Sequence, residues 1–517
     1  CNHGRVLRRR AWLAVAAALA VALLAPFAAR ADLIQATVGA SPHGQTMGDG
    51  FVGVSFEYRA LHQYTGRNPL AIDPVLLALV QGLAPGQSPV VRIGGDSTDG
   101  SWWPIPGMIP QGGLYYPITQ GWLRTTAAFA DDLNAKLILG INLAAGRPAI
   151  AAAEGRTLVG AIGRRHIDAL EIGNEPDLYG VFPWFQDTRG HIYHARAHGY
   201  DLSDYTQQFA QWAHVLPHVP LAGPALSGPA WMPKLSRFVS HAPRLALVTY
   251  HRYPLRACVT NPLDPGYPSI PNLLADRSAA GLAAPLAQYV NVAHRHALQF
   301  RVDELNSASC QGAKGVSDTF ASALWALDTL FNLAAVGVDG VNVHMLPGSA
   351  YELFTVSQTS TGAWQAFVHP EYYGLAMFAQ AFPPGAQLLP VSWVGATDDP
   401  VKVWATLGAD GTERITLINK DPLAEHDVQV QALDQTAVGQ LETLQAPSVS
   451  ATSGVTLGGQ TFGDETQTGV LGAPQTTPVV PAGSVYTVPL PPASAALLTI
   501  APPSGSGSAP LARHRAR

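Results

Sequence analysis

Between about residue 51 and residue 346 the chain alternates short, β-branched apolar runs with stretches of helical period, and nothing else in the sequence constrains the fold as strongly. Eight runs read as strands: Phe51–Phe56, Val90–Gly94, Lys136–Leu143, Ala169–Gly173, Val219–Leu226, Leu245–Tyr250, Leu298–Val302 and Gly340–His344. They are apolar on both faces, as strands covered by helices must be. Eight is the number that closes a (β/α)8 barrel. A doubly wound open sheet would use the same alternation, but no phosphate-binding glycine motif supports one.

Leu70–Leu83, Trp122–Ala135, Arg156–Arg165, Leu202–Leu216, Ala283–Ala297 and Ser317–Ala335 carry apolar residues at i, i+3 and i+4, so they read as the barrel's helices, with Asp201 and Ser317 as N-caps. A further helix is expected over Glu371–Phe382. Beyond it the chain turns rich in Val, Thr, Gly and Pro, with strand-like runs at Pro400–Thr406, Glu413–Ile418 and Ser484–Val488. Turn residues every eight to twelve positions suggest an antiparallel β-sandwich. The domain reading is a barrel over 50–382 and a sandwich over 383–502. Residues 32–49 contain a strand, Asp32–Val38, that joins the sandwich and brings the two ends of the chain together.

The first thirty-one residues stand apart. Arg5, Arg8, Arg9 and Arg10 precede an apolar run from Ala11 to Ala29, and Ala29-Arg30-Ala31 supplies a small-x-small exit. Charged start, apolar middle and small exit read as a signal peptide, with a retained anchor as the alternative. Export to a secreted or periplasmic location is expected, with no membrane association after cleavage. Residues 503–517 are Ser/Gly/Pro-rich and then basic, and read as a disordered tail. The whole chain has 31 basic and 36 acidic residues. Removing residues 1–31 takes away five arginines and no acid, leaving 26 against 36, a charge of about −10. A nucleic-acid partner is not expected.

The strand ends carry the chemistry, because active sites of such barrels lie at the C-terminal face. Gly173-Asn174-Glu175-Pro176 follows the fourth strand and Val302-Asp303-Glu304-Leu305-Asn306 the seventh. Two carboxyl groups at one rim suit glycoside cleavage, where one protonates the leaving oxygen and the other stabilises or attacks the anomeric carbon. Glu57 and Asp96, at the rims of strands one and two, could bind ring hydroxyls, or Asp96 could cap a loop. Trp102-Trp103 after strand two reads equally as an aglycone platform or as packing. His191, His194 and His198 lack acidic or sulfur partners at metal spacing and read as solvated loop residues. No cofactor or metal motif occurs.

On Phe56-Glu57-Tyr58, Val91-Arg92-Ile93-Gly94-Gly95, Glu171-Ile172-Gly173-Asn174-Glu175-Pro176-Asp177, His251-Arg252-Tyr253, Val302-Asp303-Glu304-Leu305-Asn306-Ser307 and Ser317-Asp318-Thr319-Phe320, in that order, the chain resembles glycoside hydrolase family 79, the β-glucuronidases and heparanases. The resemblance spans about residues 50–380 and also implies the sandwich. It implies Glu175 as acid/base and Glu304 as nucleophile. It implies Arg92 and Tyr253 as donors to Glu304, against a buried ion pair for Arg92 and plain packing for Tyr253. Asn174 would bond the sugar 2-hydroxyl. In the loop Pro347-Gly348-Ser349-Ala350-Tyr351, Ala350 and Tyr351 inherit the reading of a substrate carboxylate, although Ser349-Ala350 departs from the family's glycine pattern.

The expectation is a secreted, retaining, exo-acting β-glucuronidase without cofactor. The alternatives are a β-glycosidase for 4-O-methylglucuronides or neutral sugars, or a non-catalytic carbohydrate-binding barrel. A heparanase-like endo enzyme fits less well, because long sulfated chains favour a basic cleft and this chain is acidic. Cys258 and Cys310 are left as a pair in an exported protein and are expected to form a disulfide at the barrel rim, with two unrelated thiols on separate loops as the alternative.

Overall fold

The computed structural model describes residues 33–394 and 400–502. The expected signal peptide and tail therefore lie outside the described residues. Eight parallel strands close into a barrel in chain order: Val52–Glu57, Val90–Gly94, Lys136–Ile141, Ile167–Ile172, Leu221–Leu226, Leu245–Arg252, Gln299–Leu305 and Gly340–Met345. Each expected strand run is one of them. Four are buried at every position, as the double coverage by helices requires, and the other four reach solvent only within two residues of an end.

The helices match the periodic stretches with shifted ends. The first long one starts at Pro74, capped by the Asp73 side chain, so Leu70 lies outside it and is exposed. Proline at the first helical position and an Asp cap together outrank the apolar residues before them. The stretch expected over Ala283–Ala297 is broken into Ala280–Ala283, a short 3₁₀ turn and Ala287–Arg295, because Pro285 sits within it. Asp201 caps Leu202–Val215 in a full capping box. Ser317 does not cap its helix. That helix runs Phe320–Ala335 from Thr319, and Ser317 instead accepts the Ala313 amide in a preceding turn.

Two sheets form the sandwich. One orders Val391–Val394, Leu33–Val38, His426–Gln431 and Tyr486–Leu490; the other contains Gln387–Leu389, Val401–Leu407, Glu413–Asn419, Ser494–Ile500 and Gly439–Gln445. Leu33–Val38 alternates exposed and buried residues, and its inner Ile34, Ala36 and Val38 enter the sandwich core. It pairs antiparallel with Val391–Val394 but parallel with His426–Gln431, so the expected all-antiparallel sandwich is mixed at this strand. The two domains are joined by buried polar contacts. Asp328 of the helix Phe320–Ala335 pairs with Lys420 and accepts Trp404 Nε1 at 3.1 Å. The first amides of that helix, on Phe320 and Ala321, donate to the carbonyls of Ala451 and Val449. The sandwich thus supplies the cap that Thr319 does not.

Candidate active site

Arg92 is the hub of the barrel's C-terminal end. It is fully buried in strand two and must find partners for every donor. Its Nη1 donates to Glu304 Oε2 at 2.7 Å and to Ser55 Oγ at 3.2 Å; Nη2 donates to Asn174 Oδ1 at 2.9 Å, and Nε to Glu171 Oε2 at 2.8 Å. Both sequence readings of Arg92 therefore hold. It supports Glu304, and it sits in a buried ion-pair cluster. Tyr253 donates its hydroxyl to Glu304 Oε1 at 2.7 Å. Each oxygen of Glu304 thus has a donor.

Glu175 leaves strand four through a strained turn. Its own φ is +47° and that of Gly173 is +82°. The turn is pinned by the Glu175 amide on the Ala225 carbonyl at 2.9 Å. Asp177 adds three bonds, accepting from the Ser227 amide and hydroxyl and the Gly228 amide. One oxygen of Glu175, His251 Nδ1 and one oxygen of Glu304 all lie within 4.8 Å of one another.

The two carboxyl groups are pushed apart electrostatically. Burial raises Glu175 to about 7; the charge of Glu304 adds to this, and a hydrogen bond from His251 opposes it. Burial works to raise Glu304 as well, but the surrounding imidazoles, Arg92 and the Tyr253 hydroxyl overcome it and hold the carboxyl well below its ordinary range. His344 is itself driven down to about 4 by burial and is neutral near pH 7, and the contact of His251 with Arg92 makes that ring neutral too, so we assign most of the lowering to Arg92 and Tyr253.

His251 is pulled two ways. Burial lowers its pKa, while Glu304 and the bond to Glu175 lift it to about 9. Yet its Nε2 lies 3.3 Å from Arg92 Nη2, a group that can only donate. That contact is a hydrogen bond only if Nε2 carries a lone pair. The geometry therefore assigns a neutral ring whose Nδ1 proton points at Glu175 Oε1, 3.0 Å away.

Beneath Glu304 the charges do not balance. Arg92 is one cation against Glu171, Asp303 and Glu304 at 2.8, 3.2 and 2.7 Å. Both oxygens of Asp303 and Oε1 of Glu171 lack a hydrogen-bond partner. Burial and then the charge of Glu171 raise Asp303 well above its ordinary value, with Arg92 pulling the other way. Asp303 is the neutral member, and its proton completes Glu171. Asp303→Asn, which keeps an N–H donor and no charge, should then lower kcat by no more than about tenfold and leave the acid limb of the pH–rate profile in place. A shift of that limb by a whole unit would mean that Asp303 is ionised.

The remaining expected residues fall around this centre. Asn174 is buried, with Oδ1 on Arg92 and Nδ2 3.4 Å from Asp96 Oδ1. Asp96 is exposed. Each oxygen of Glu57 already accepts an amide, from Asp96 at 3.0 Å and Ser97 at 2.7 Å, leaving one lone pair apiece for a ligand. Tyr351 is buried against His344 and Tyr253, with ring centroids 6.0 and 6.4 Å apart, and its hydroxyl makes no hydrogen bond among the described residues.

Ala350 does not meet its expectation. Its amide donates to the Gln311 carbonyl at 2.9 Å, because Cys310 and Gln311, both at positive φ, turn that carbonyl toward it. The amides of Gly348, Ser349 and Glu352 are taken as well, by the Glu352 side chain and the Leu346 and Ser349 carbonyls. Cys258 and Cys310 are disulfide-bonded, with Cα atoms 5.9 Å apart. Trp102 is buried in a hydrophobic cluster and Trp103, partly exposed, packs against another, which agrees with the packing reading. His191, His194 and His198 are exposed, the first two beside and on a hairpin strand rather than in a plain loop.

Residues 403–497 match the family model described as the glycosyl hydrolase family 79 C-terminal beta domain. A β-glucuronidase of Neurospora crassa is 24% identical over 440 residues, 75% of each chain. Among solved structures, a 4-O-α-L-rhamnosyl-β-D-glucuronidase from Fusarium oxysporum superimposes with a TM-score of 0.67 at 18% identity, covering 90% of this chain and all of that one. A family 51 arabinofuranosidase from Xanthomonas axonopodis superimposes at 0.62 with 15% identity, covering 90% and 99%. Barrel, sandwich and paired carboxyl groups define a glycoside hydrolase. More particularly, the chain is β-glucuronidase-like, and its C-terminal region matches a domain of glycoside hydrolase family 79.

Proposed function

We propose that the protein is a retaining, exo-acting β-glucuronidase that releases β-linked glucuronic acid by double displacement. The observation that carries this reading is the pair Glu175 and Glu304, close together and driven toward opposite protonation states. Retention uses carboxyl groups about 5–5.5 Å apart, whereas inversion needs roughly 6.5–9.5 Å to admit a water. Glu304, ionised between Arg92 and Tyr253, attacks the anomeric carbon. Glu175, protonated at first, gives its proton to the leaving oxygen and then takes one from water in the second step. His251 orients Glu175 through Nδ1. Asn174, fixed by Arg92, presents its amide toward the sugar 2-hydroxyl.

Specificity for a carboxylate rests on Tyr351. With the Ala350 amide committed, the reading passes to the Tyr351 hydroxyl and to its own amide, the one in this loop without a partner among the described residues. Tyr351→Phe should weaken glucuronide hydrolysis by roughly 1–2 kcal/mol, the scale of a charge-assisted hydrogen bond, and hardly touch residual glucoside hydrolysis. Equal losses on both would leave Tyr351 only a shaping role. A panel of 4-nitrophenyl β-glycosides, with and without a 4-O-methyl group on the glucuronide, tests the sugar. The anomer first released, read by NMR, tests retention: the β form is expected, and the α form would overturn the mechanism. No turnover of any glycoside would favour a binding barrel.

The disulfide and the leader-like first thirty-one residues together support export. Thiol titration of the denatured, unreduced protein lacking residues 1–31 should find no free thiol, and two per chain would refute the bridge. Its closed loop is worth up to about 4 kcal/mol in the chain-entropy picture.

A further inference from the structure

Fourteen large hydrophobic side chains are exposed among the described residues, and six of them lie in two excursions from the catalytic face. Ile109 and Tyr115 belong to the loop after barrel strand two. Val181, Phe182, Ile192 and Tyr193 belong to the excursion after strand four, which begins at Glu175 and folds into the hairpin Pro183–Gln186 with Ile192–His194. A soluble surface seldom gathers so many without a ligand for them.

The two excursions form one wall. A Cβ on Gly112 would stand 2.4 Å from the Phe185 ring, and one on Gly113 2.5 Å from the Trp184 ring, so the loop lies flat on the hairpin's aromatic residues. Trp184 also donates Nε1 to the Asp99 carbonyl at 3.0 Å and shares a hydrophobic cluster with Trp102, Met108 and Leu114. Tyr193 stacks on Phe185 at 4.6 Å. The wall reaches the sugar site through Tyr115, whose ring lies on the Gly100 backbone and whose hydroxyl feels the charges of Glu57 and Asp96.

Resting on the proposed function, we infer that this wall is the leaving-group site and that it takes an apolar aglycone, a fused or substituted aryl group rather than a further sugar. Glu175 protonates the leaving oxygen, so the aglycone departs on the side of the excursion that Glu175 itself begins. Ile, Val and Phe offer a sugar none of the hydrogen bonds it needs, and the hairpin's Asp187 already accepts the Arg189 and His191 amides.

The test compares phenyl β-glucuronide with 4-phenylphenyl β-glucuronide, whose phenols have similar acidity but different apolar area. The wild-type protein should show a KM about tenfold lower for the larger substrate, since each buried methylene-sized group is worth roughly fourfold. Phe182→Ser and Ile192→Ser should each remove about threefold or more of that advantage, raising KM for the 4-phenylphenyl substrate more than for the phenyl one. Equal KM values, equal effects on both substrates, or a KM lower still for a glucuronosyl disaccharide would overturn the inference while leaving the enzyme a glucuronidase. If neither glucuronide is cleaved but another glycoside is, the proposed function falls instead, and the same aryl pair is run on that sugar. Size-exclusion chromatography closes the remaining route: a dimer that Phe182→Ser splits would assign the wall to a second copy of the chain and overturn the aglycone site.

Discussion

Glu304→Gln should abolish turnover of every substrate, lowering kcat by on the order of 10⁴-fold or more. The amide is nearly isosteric with the carboxylate, so the fold should persist. What it lacks is the charge that Arg92 and Tyr253 are built to hold, and with it the ability to form a glycosyl–enzyme bond. The loss should not depend on the leaving group, because no aglycone, however acidic, replaces the nucleophile. Steady-state kinetics with 4-nitrophenyl and 2,4-dinitrophenyl glucuronides measures it. Ordinary turnover of the dinitrophenyl substrate would take the nucleophile's role away from Glu304.

Glu175→Gln should behave differently. Glycosides of poor leaving groups should lose about 10²–10⁴-fold, the usual worth of general acid catalysis, whereas the first step with 2,4-dinitrophenol as leaving group should proceed nearly unchanged. The second step still needs a base, so the variant should show a burst of phenol followed by slow turnover. The wild-type pH profile follows from the same group. Glu175 must be protonated for the first step and its pKa is raised to about 7, so kcat/KM should fall as pH rises through about 7, tenfold per unit beyond it. Glu304 stays ionised far below that, which puts the acid limb in strongly acidic solution. The variant should lose the limb near 7. Its persistence would assign that limb to another group.

The barrel was legible because burial on both faces leaves a mark that no helix-period stretch shares: Val90–Gly94 and Gly340–Met345 are apolar almost throughout, and their ends can be read within a residue or two. Helix ends were less legible, since Pro74 and Pro285 act locally against the apolar period around them. Glu175, Glu304, Arg92 and Tyr253 could be placed because strand ends locate a rim. His251, Glu171 and Asp303 acquired no role, although Glu171 carried a usable signal, a carboxylate inside a buried strand that Arg92 alone could neutralise. Asp303 was harder. Strict alternation would turn it away from Glu304, and the register shift between strands seven and eight, at Val302 to Leu305, accompanies the inward placing of both. The fate of the Ala350 amide could not be read at all, because it depends on the turn at Cys310 and Gln311, thirty-nine residues earlier.

The place of Leu33–Val38 in the sandwich bears on how the protein is made. The strand is central in its sheet, between Val391–Val394 and His426–Gln431, so it leaves the ribosome more than three hundred and fifty residues ahead of both its partners. Through the carbonyls of Ala451 and Val449, the helix behind the nucleophile's strand waits as well. Synthesis alone therefore cannot finish the molecule from its N-terminus onward. A chain held unfolded until it is complete, as one threaded across a membrane would be, loses nothing by the delay, and a nascent chain cut short anywhere before the sandwich leaves Leu33–Val38 as an unpaired edge open to other chains.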